Sequence, residues 1–197
     1  MNIHKICDVL ENGGLVISPT DTVYGIMGDA MNESVIKNIY EAKNRPYSKP
    51  LILLMDSYKM IEEYTSNISE IERAVIDKFM PGLVTIILKK NDKVSNFITG
   101  NGEYVGIRIP KNEDLLKIIN RLGRPVVSTS ANMSDYDVVT RVDLLDERLR
   151  GKIDYIEDGG EVISESSTII KFDNGKLIIL RDGKMSDEVR NYVDILG

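Results

Sequence analysis

The apolar residues of this chain fall into short runs of strand length that alternate with stretches of helical period, and this alternation limits the folds open to it. Runs such as LILLM (residues 51–55) are far too short to cross a bilayer. They are the right length for strands buried on both faces. The spacing predicts strands over residues 15–18, 51–55, 83–88, 104–109, 125–129 and 155–156, and helices over 3–12, 32–43, 58–64, 69–79 and 113–122. Asn32 is a good N-cap, and Ser69 with Glu72 has the spacing of a capping box. Residues 142–149 are weakly helical. Residues 168–172 and 176–180 flank Asp173-Asn174-Gly175, a strong hairpin signal, and Ser186 caps a last helix. Hairpins mixed with crossover helices imply an α/β fold whose sheet has mixed direction and carries helices packed on it. The polar stretch 90–103, with Gly100-Asn101-Gly102, reads as a lid or as an ordinary surface loop.

A length of 197 residues, without repeats or low-complexity segments, predicts one domain over 1–197 with a sizeable core. The net charge of −6 argues against a protein that coats nucleic acid non-specifically, although a local basic cleft is still possible. A single cysteine, Cys7, excludes an intrachain disulfide and a cysteine-rich zinc site. The opening MNIHKICDVLENGG mixes charges into its apolar positions and does not read as a signal peptide. The expectation is a soluble cytoplasmic protein with no membrane partner.

Three segments carry chemistry, each at the edge of an apolar run. In SPTDTVYG (residues 18–25), Pro19 ends a strand and an extended chain would place the Thr20 and Thr22 hydroxyls on one side. The segment can hold a small polar ligand, or it can be a hydroxyl-rich turn in which Asp21 caps an amide. In KNRPYSKPL (residues 43–51), Lys43, Arg45 and Lys49 gather three cations at a predicted helix end. They suit phosphate oxygens, and they equally suit the helix dipole. STSAN (residues 128–132) leaves a buried strand with Ser128 and Ser130 on one side and Asn132 beyond them. That is a ligand position at a strand end, or a helix cap. No Walker-type glycine loop is present, so a P-loop is not expected. His4, the sole histidine, and Cys7 lie far in sequence from these segments and read as surface and core residues.

SPTDTVYG, Lys43-Asn44-Arg45 with Lys49-Pro50-Leu51, PGLVTIIL, VGIRIP and Ser130-Ala131-Asn132, in that order, resemble the YrdC/Sua5 family over about residues 13–183. The resemblance implies a YrdC-like twisted mixed sheet with flanking helices around a basic concave cavity. It implies a nucleotidyltransferase that joins L-threonine, bicarbonate and ATP into threonylcarbamoyl-adenylate and pyrophosphate. A t6A transferase complex of the Kae1/TsaD type would then modify adenosine 37 of tRNA, with weak direct RNA contact possible. Lys43 and Arg45 would be catalytic and bind the nucleotide, together with Lys49, Ser130, Asn132 and Arg181. Thr22, Arg108, Ser128 and Ser167 would hold threonine, Arg108 through its carboxylate. Mg²⁺ would accompany ATP, with its protein ligands unassigned.

The sequence departs from the family pattern in places. Leu54 makes one expected wall of the threonine pocket apolar, and Asp135 stands where many members have Gly. The chain reads as the short, single-domain form, with a cavity more open to solvent. Two other readings are an RNA-binding module and a carbamoyl-adenylate-forming protein of the hydrogenase-maturation type. Net charge and length argue against them.

Overall fold

The computed structural model describes residues 1–134, 136–162 and 165–196. The N-terminal half runs α1 (Ile3–Glu11), β1 (Val16–Pro19), β2 (Tyr24–Asp29), α2 (Glu33–Ala42), β3 (Ile52–Leu54), α3 (Tyr58–Tyr64), α4 (Glu70–Phe79) and β4 (Val84–Lys89). The remainder runs α5 (Asn96–Thr99), β5 (Tyr104–Arg108), α6 (Glu113–Leu122), β6 (Val126–Ser130), a 3-10 turn at Val142–Leu144, α7 (Glu147–Arg150), β7 (Tyr155–Ile156), β8 (Thr168–Asp173), β9 (Lys176–Arg181) and α8 (Ser186–Leu196). All the strands join one sheet in the order β7-β1-β2-β6-β3-β5-β4-β8-β9. The pairs β1/β7, β3/β5 and β4/β8 are parallel and the rest antiparallel, so the sheet is mixed as the sequence implied.

Local chemistry explains the helix ends. The Asn32 side chain accepts from the Ser34 and Val35 amides, and the reciprocal Ser69–Glu72 box forms at the start of α4. Asn112 caps α6, and Gly123 ends it in the left-handed conformation that glycine adopts at least cost. The α6 face Leu115, Ile118, Ile119 and Leu122 is buried, each side chain contributing roughly 1.5–3 kcal/mol. Ser186 lies inside α8 as its first residue, and its hydroxyl accepts from the Gly183 amide.

The structure corrects the sequence reading in two places and refines it in a third. Residues 24–29 form β2, wholly buried, where the sequence showed no strand. Two glycines interrupt its apolar pattern, and Gly28 is there because a Cβ would meet Val35 Cγ1 of α2 at 2.4 Å. The stretch 90–103 is not an unattached lid. It contains α5, buries Val94, Ile98 and Thr99, and is tied down by Leu51 N–H to the Ile98 carbonyl (2.9 Å) and the Tyr40 hydroxyl to the Phe97 carbonyl (2.9 Å). Residues 142–149 divide into the 3-10 turn and the short α7. No helix among the described residues is long and apolar enough to cross a membrane.

Candidate active site

A cavity of about 240 Å³ opens where the ends of several strands meet. It is smaller than the roughly 300–1,000 Å³ of pockets that enclose a drug-sized ligand, which suits a small polar molecule with any larger partner reaching in from the mouth. Its polar lining comes from the β1–β2 turn (Thr20, Thr22), from β6 (Ser128, Ser130) and from the residues before β8 (Ser166, Ser167). Arg45, Arg108 and Arg181 line it from three different elements, and no acidic residue is among the described lining residues.

The β1–β2 turn is held by Thr20. Its hydroxyl donates to the Val23 carbonyl (2.6 Å) and accepts from the Thr22 amide (3.0 Å). It also accepts from the Val23 amide (3.2 Å), and the Thr22 hydroxyl lies 2.9 Å from it at the cavity, either oxygen able to donate. Ser128 and Ser130 both line the cavity, and so does Thr129 between them. Opposite them, β2 supplies Gly25, where a Cβ would stand 3.2 Å from Ser128 Oγ and 3.1 Å from Thr20 Cγ2.

Arg108 ends β5 and is 3% exposed. Its Nη1 donates to Asp21 Oδ1 at 2.7 Å, while Nε is buried without an acceptor. Burial lowers its pKa and the Asp21 charge opposes that shift. An unsatisfied buried donor costs about 1–3 kcal/mol, and the residue that carries it, Arg108, lines the cavity. Arg181, at the end of β9, donates from Nε to the Ser167 carbonyl (3.0 Å) and from Nη2 to Ser167 Oγ (2.8 Å). Ser167 Oγ also contacts Thr85 Oγ1 at 2.9 Å. Burial first, then repulsion from Arg108, lowers the Arg181 pKa. Arg45 is oriented by the carbonyls of Lys49 (3.1 Å, from Nε) and Pro50 (2.9 Å, from Nη2).

Thr22, Arg45, Arg108, Ser128, Ser130, Ser167 and Arg181 thus come together, while Lys43, Lys49 and Asn132 are not cavity-lining residues. Lys43 lies buried behind the wall. Its ammonium donates to the carbonyls of Ser130 and Asn132 and, at 3.4 Å, to Asn132 Oδ1. Its own carbonyl accepts from the Ser134 amide at 3.2 Å, so residue 43 pins the loop after β6 at two points. Burial, with the Arg45 charge acting in the same direction, lowers its pKa to about 7. The Asn132 amide closes the same loop on the Tyr136 carbonyl (2.6 Å). Lys49 turns the chain through its amide to the Pro46 carbonyl.

The expected apolar wall is also reassigned. Leu54 is fully buried between Val126 and Arg108, and Ile52, on the same strand, faces the cavity instead. Asp135 lies outside the described residues. His4 sits on the surface, 2.6 Å from Arg121, and Cys7 is buried in α1, its thiol pKa raised by burial. The sequence reading missed Asp21 as the Arg108 partner, Thr85 behind Ser167, and Gly25. The hydroxyl-rich turn pointed to Asp21 as an amide cap, which it is for Lys111 (2.8 Å), but not to Arg108.

The Sua5/YciO/YrdC family model, described as "Telomere recombination", matches residues 8–183. A Methanocaldococcus jannaschii protein, provisionally named a threonylcarbamoyl-AMP synthase, is 38% identical over 173 residues, covering 87% of this chain and 81% of that protein. The threonylcarbamoyl-AMP synthase of Pyrococcus abyssi is 37% identical over 197 residues, covering 95% of this chain, which spans only 58% of that protein's length. The solved structure of P. abyssi Sua5 complexed with L-threonine superposes with a TM-score of 0.91 at 35% identity, over 97% of this chain and 56% of that one.

Proposed function

The chain belongs to the Sua5/YciO/YrdC family, and we propose that it is a threonylcarbamoyl-AMP synthase, forming threonylcarbamoyl-adenylate and pyrophosphate from L-threonine, bicarbonate and ATP. The observation that carries this reading is the convergence of three guanidinium groups and a ring of hydroxyls on one small cavity, one guanidinium holding an unspent buried donor. The names of the P. abyssi and M. jannaschii relatives support it.

In this reading Arg108 receives the threonine carboxylate, and Thr22, Ser128 and Ser167 receive its hydroxyl and amine. The amine condenses with bicarbonate to a carbamate, releasing water. A carbamate oxygen then attacks the α-phosphorus of ATP, and the bond to the β-phosphate bridging oxygen breaks as pyrophosphate leaves. Negative charge grows on the phosphoryl oxygens during that step, and fixed cations lower its cost. Arg45 and Arg181 line the cavity beside Arg108 and are assigned to this charge. Ser130 serves the shared wall, and Lys43 and Asn132 hold the loop that carries it. Two reactants held in one site account for much of the acceleration.

No group of three or more His, Cys, Asp or Glu among the described residues could hold a metal ion. A magnesium ion would arrive on the triphosphate, keeping mostly water ligands. The adenylate is a reactive mixed anhydride, which suits transfer to a t6A transferase complex of the Kae1/TsaD type acting on tRNA, in the cytoplasm.

The test is pyrophosphate release from ATP and bicarbonate by the purified protein, with each amino acid added in turn. Release that requires L-threonine, with the adenylate's mass among the products, is expected. Release without threonine, or a requirement for carbamoyl phosphate, would overturn the reading.

A further inference from the structure

Asp21 makes two bonds in two directions. Its Oδ1 accepts from Arg108 Nη1 at 2.7 Å and its Oδ2 accepts from the Lys111 backbone amide at 2.8 Å. The Arg108 and Asp21 side chains are 4% and 7% exposed. An arginine–carboxylate pair that served only to neutralise charge would gain most by the two-pronged arrangement, both oxygens on one guanidinium. Here the second oxygen is spent on the chain after β5, so Asp21 cannot turn to saturate the guanidinium. The result is an arginine anchored at one corner, with Nε buried and unpaired. The neighbouring Arg181 adds a second positive charge, and its nearest oxygens are the neutral groups of Ser167. Two guanidiniums with one carboxylate leave room for one further anion.

We propose that Asp21 is the positioning residue for the substrate carboxylate: it fixes the plane of Arg108 from behind and leaves the remaining donors for an amino-acid carboxylate. It touches no substrate itself and stays on Arg108 when the substrate binds. This rests on the reading of Arg108 as the carboxylate receptor.

The test compares Asp21→Asn with wild type. Asn keeps the shape but removes the charge and cannot accept from both Arg108 and the Lys111 amide. The dissociation constant for L-threonine should rise at least tenfold. That for L-threoninol, which lacks the carboxylate, should change less than twofold, as should the KM for ATP. Equal weakening of threonine and threoninol, or threonine binding within twofold of wild type, would overturn the proposal. A second measurement needs no variant. In wild-type protein carrying nitrogen-15 arginine, L-threonine should shift the Arg108 Nε–H resonance while the Nη1 hydrogens on Asp21 keep their hindered rotation. An unmoved Nε signal, or Nη1 hydrogens released on binding, would overturn it. If the protein bound no threonine, the functional reading would fall, and titration with acetate would still decide this one: a shift at Arg108 Nε supports it and silence there refutes it.

Discussion

Lys43 makes a sharp prediction because burial and hydrogen bonding pull its charge in opposite directions. Its pKa falls from 10.5 to about 7 in the fold. Between those values the unfolded chain binds more protons than the folded one, so stability should rise with pH across that window. With these two pKa values, the shift costs the fold about 5 kcal/mol at pH 6, where Lys43 is charged, and about 2 kcal/mol at pH 9, where it folds neutral. The carbonyls of Ser130 and Asn132 favour the ammonium and offset part of this, which makes the change of about 3 kcal/mol a ceiling. Lys43→Met removes the titration and leaves those carbonyls without their donor, a loss of about 1–3 kcal/mol that does not depend on pH. Urea unfolding of both proteins at intervals from pH 6 to 9 gives the difference directly. Wild-type stability relative to the variant should change little near pH 6 and climb with increasing slope from pH 7 to 9. A flat difference would mean Lys43 does not titrate there. That flat result is also what carbonyls that matched or outweighed burial would give, and the account of this residue would then be wrong.

Arg108→Gln should abolish threonine binding and leave Asp21 as an unpaired buried charge, costing about 3–5 kcal/mol; a variant as stable as wild type by urea unfolding would contradict that environment. Gly25→Ala places a methyl 3.2 Å from Ser128 Oγ and should raise the threonine KM on the order of tenfold, with kcat read in the same assay. An unchanged KM would remove Gly25 from the site. Ser69→Ala breaks the capping box of α4, far from the cavity, and should lower stability by about 1 kcal/mol while leaving kcat alone. A loss of activity at normal stability would count against a purely structural role.

The elements with a clear period or a chemical boundary were legible in the sequence. The helices α1, α2, α4 and α6 and the β8–β9 hairpin announce themselves through apolar spacing, caps and Asn174-Gly175. The strand β2 did not, because a strand buried on both faces shows no alternation and its glycines answer to the helix above it. For the site, the residue types were readable and their directions were not. Lys43 and Arg45 sit two positions apart at a helix end, yet one faces the cavity and the other supports its wall. Asp21 and Arg108 are 87 residues apart, and only the sheet order brings the β1–β2 turn to the end of β5. Charge can be read from composition, but pairing at that separation depends on topology.

The central claim is that one cavity joins a threonine carbamate to the α-phosphate of ATP. The most direct test supplies bicarbonate labelled with carbon-14 and ATP labelled with phosphorus-32 at the α position, together with unlabelled L-threonine, and separates the products. The account predicts one new compound carrying both labels in equal amounts, absent when threonine is omitted. A phosphorus-labelled product without the carbon label would indicate an aminoacyl adenylate, and that result, or no doubly labelled compound at all, would contradict it.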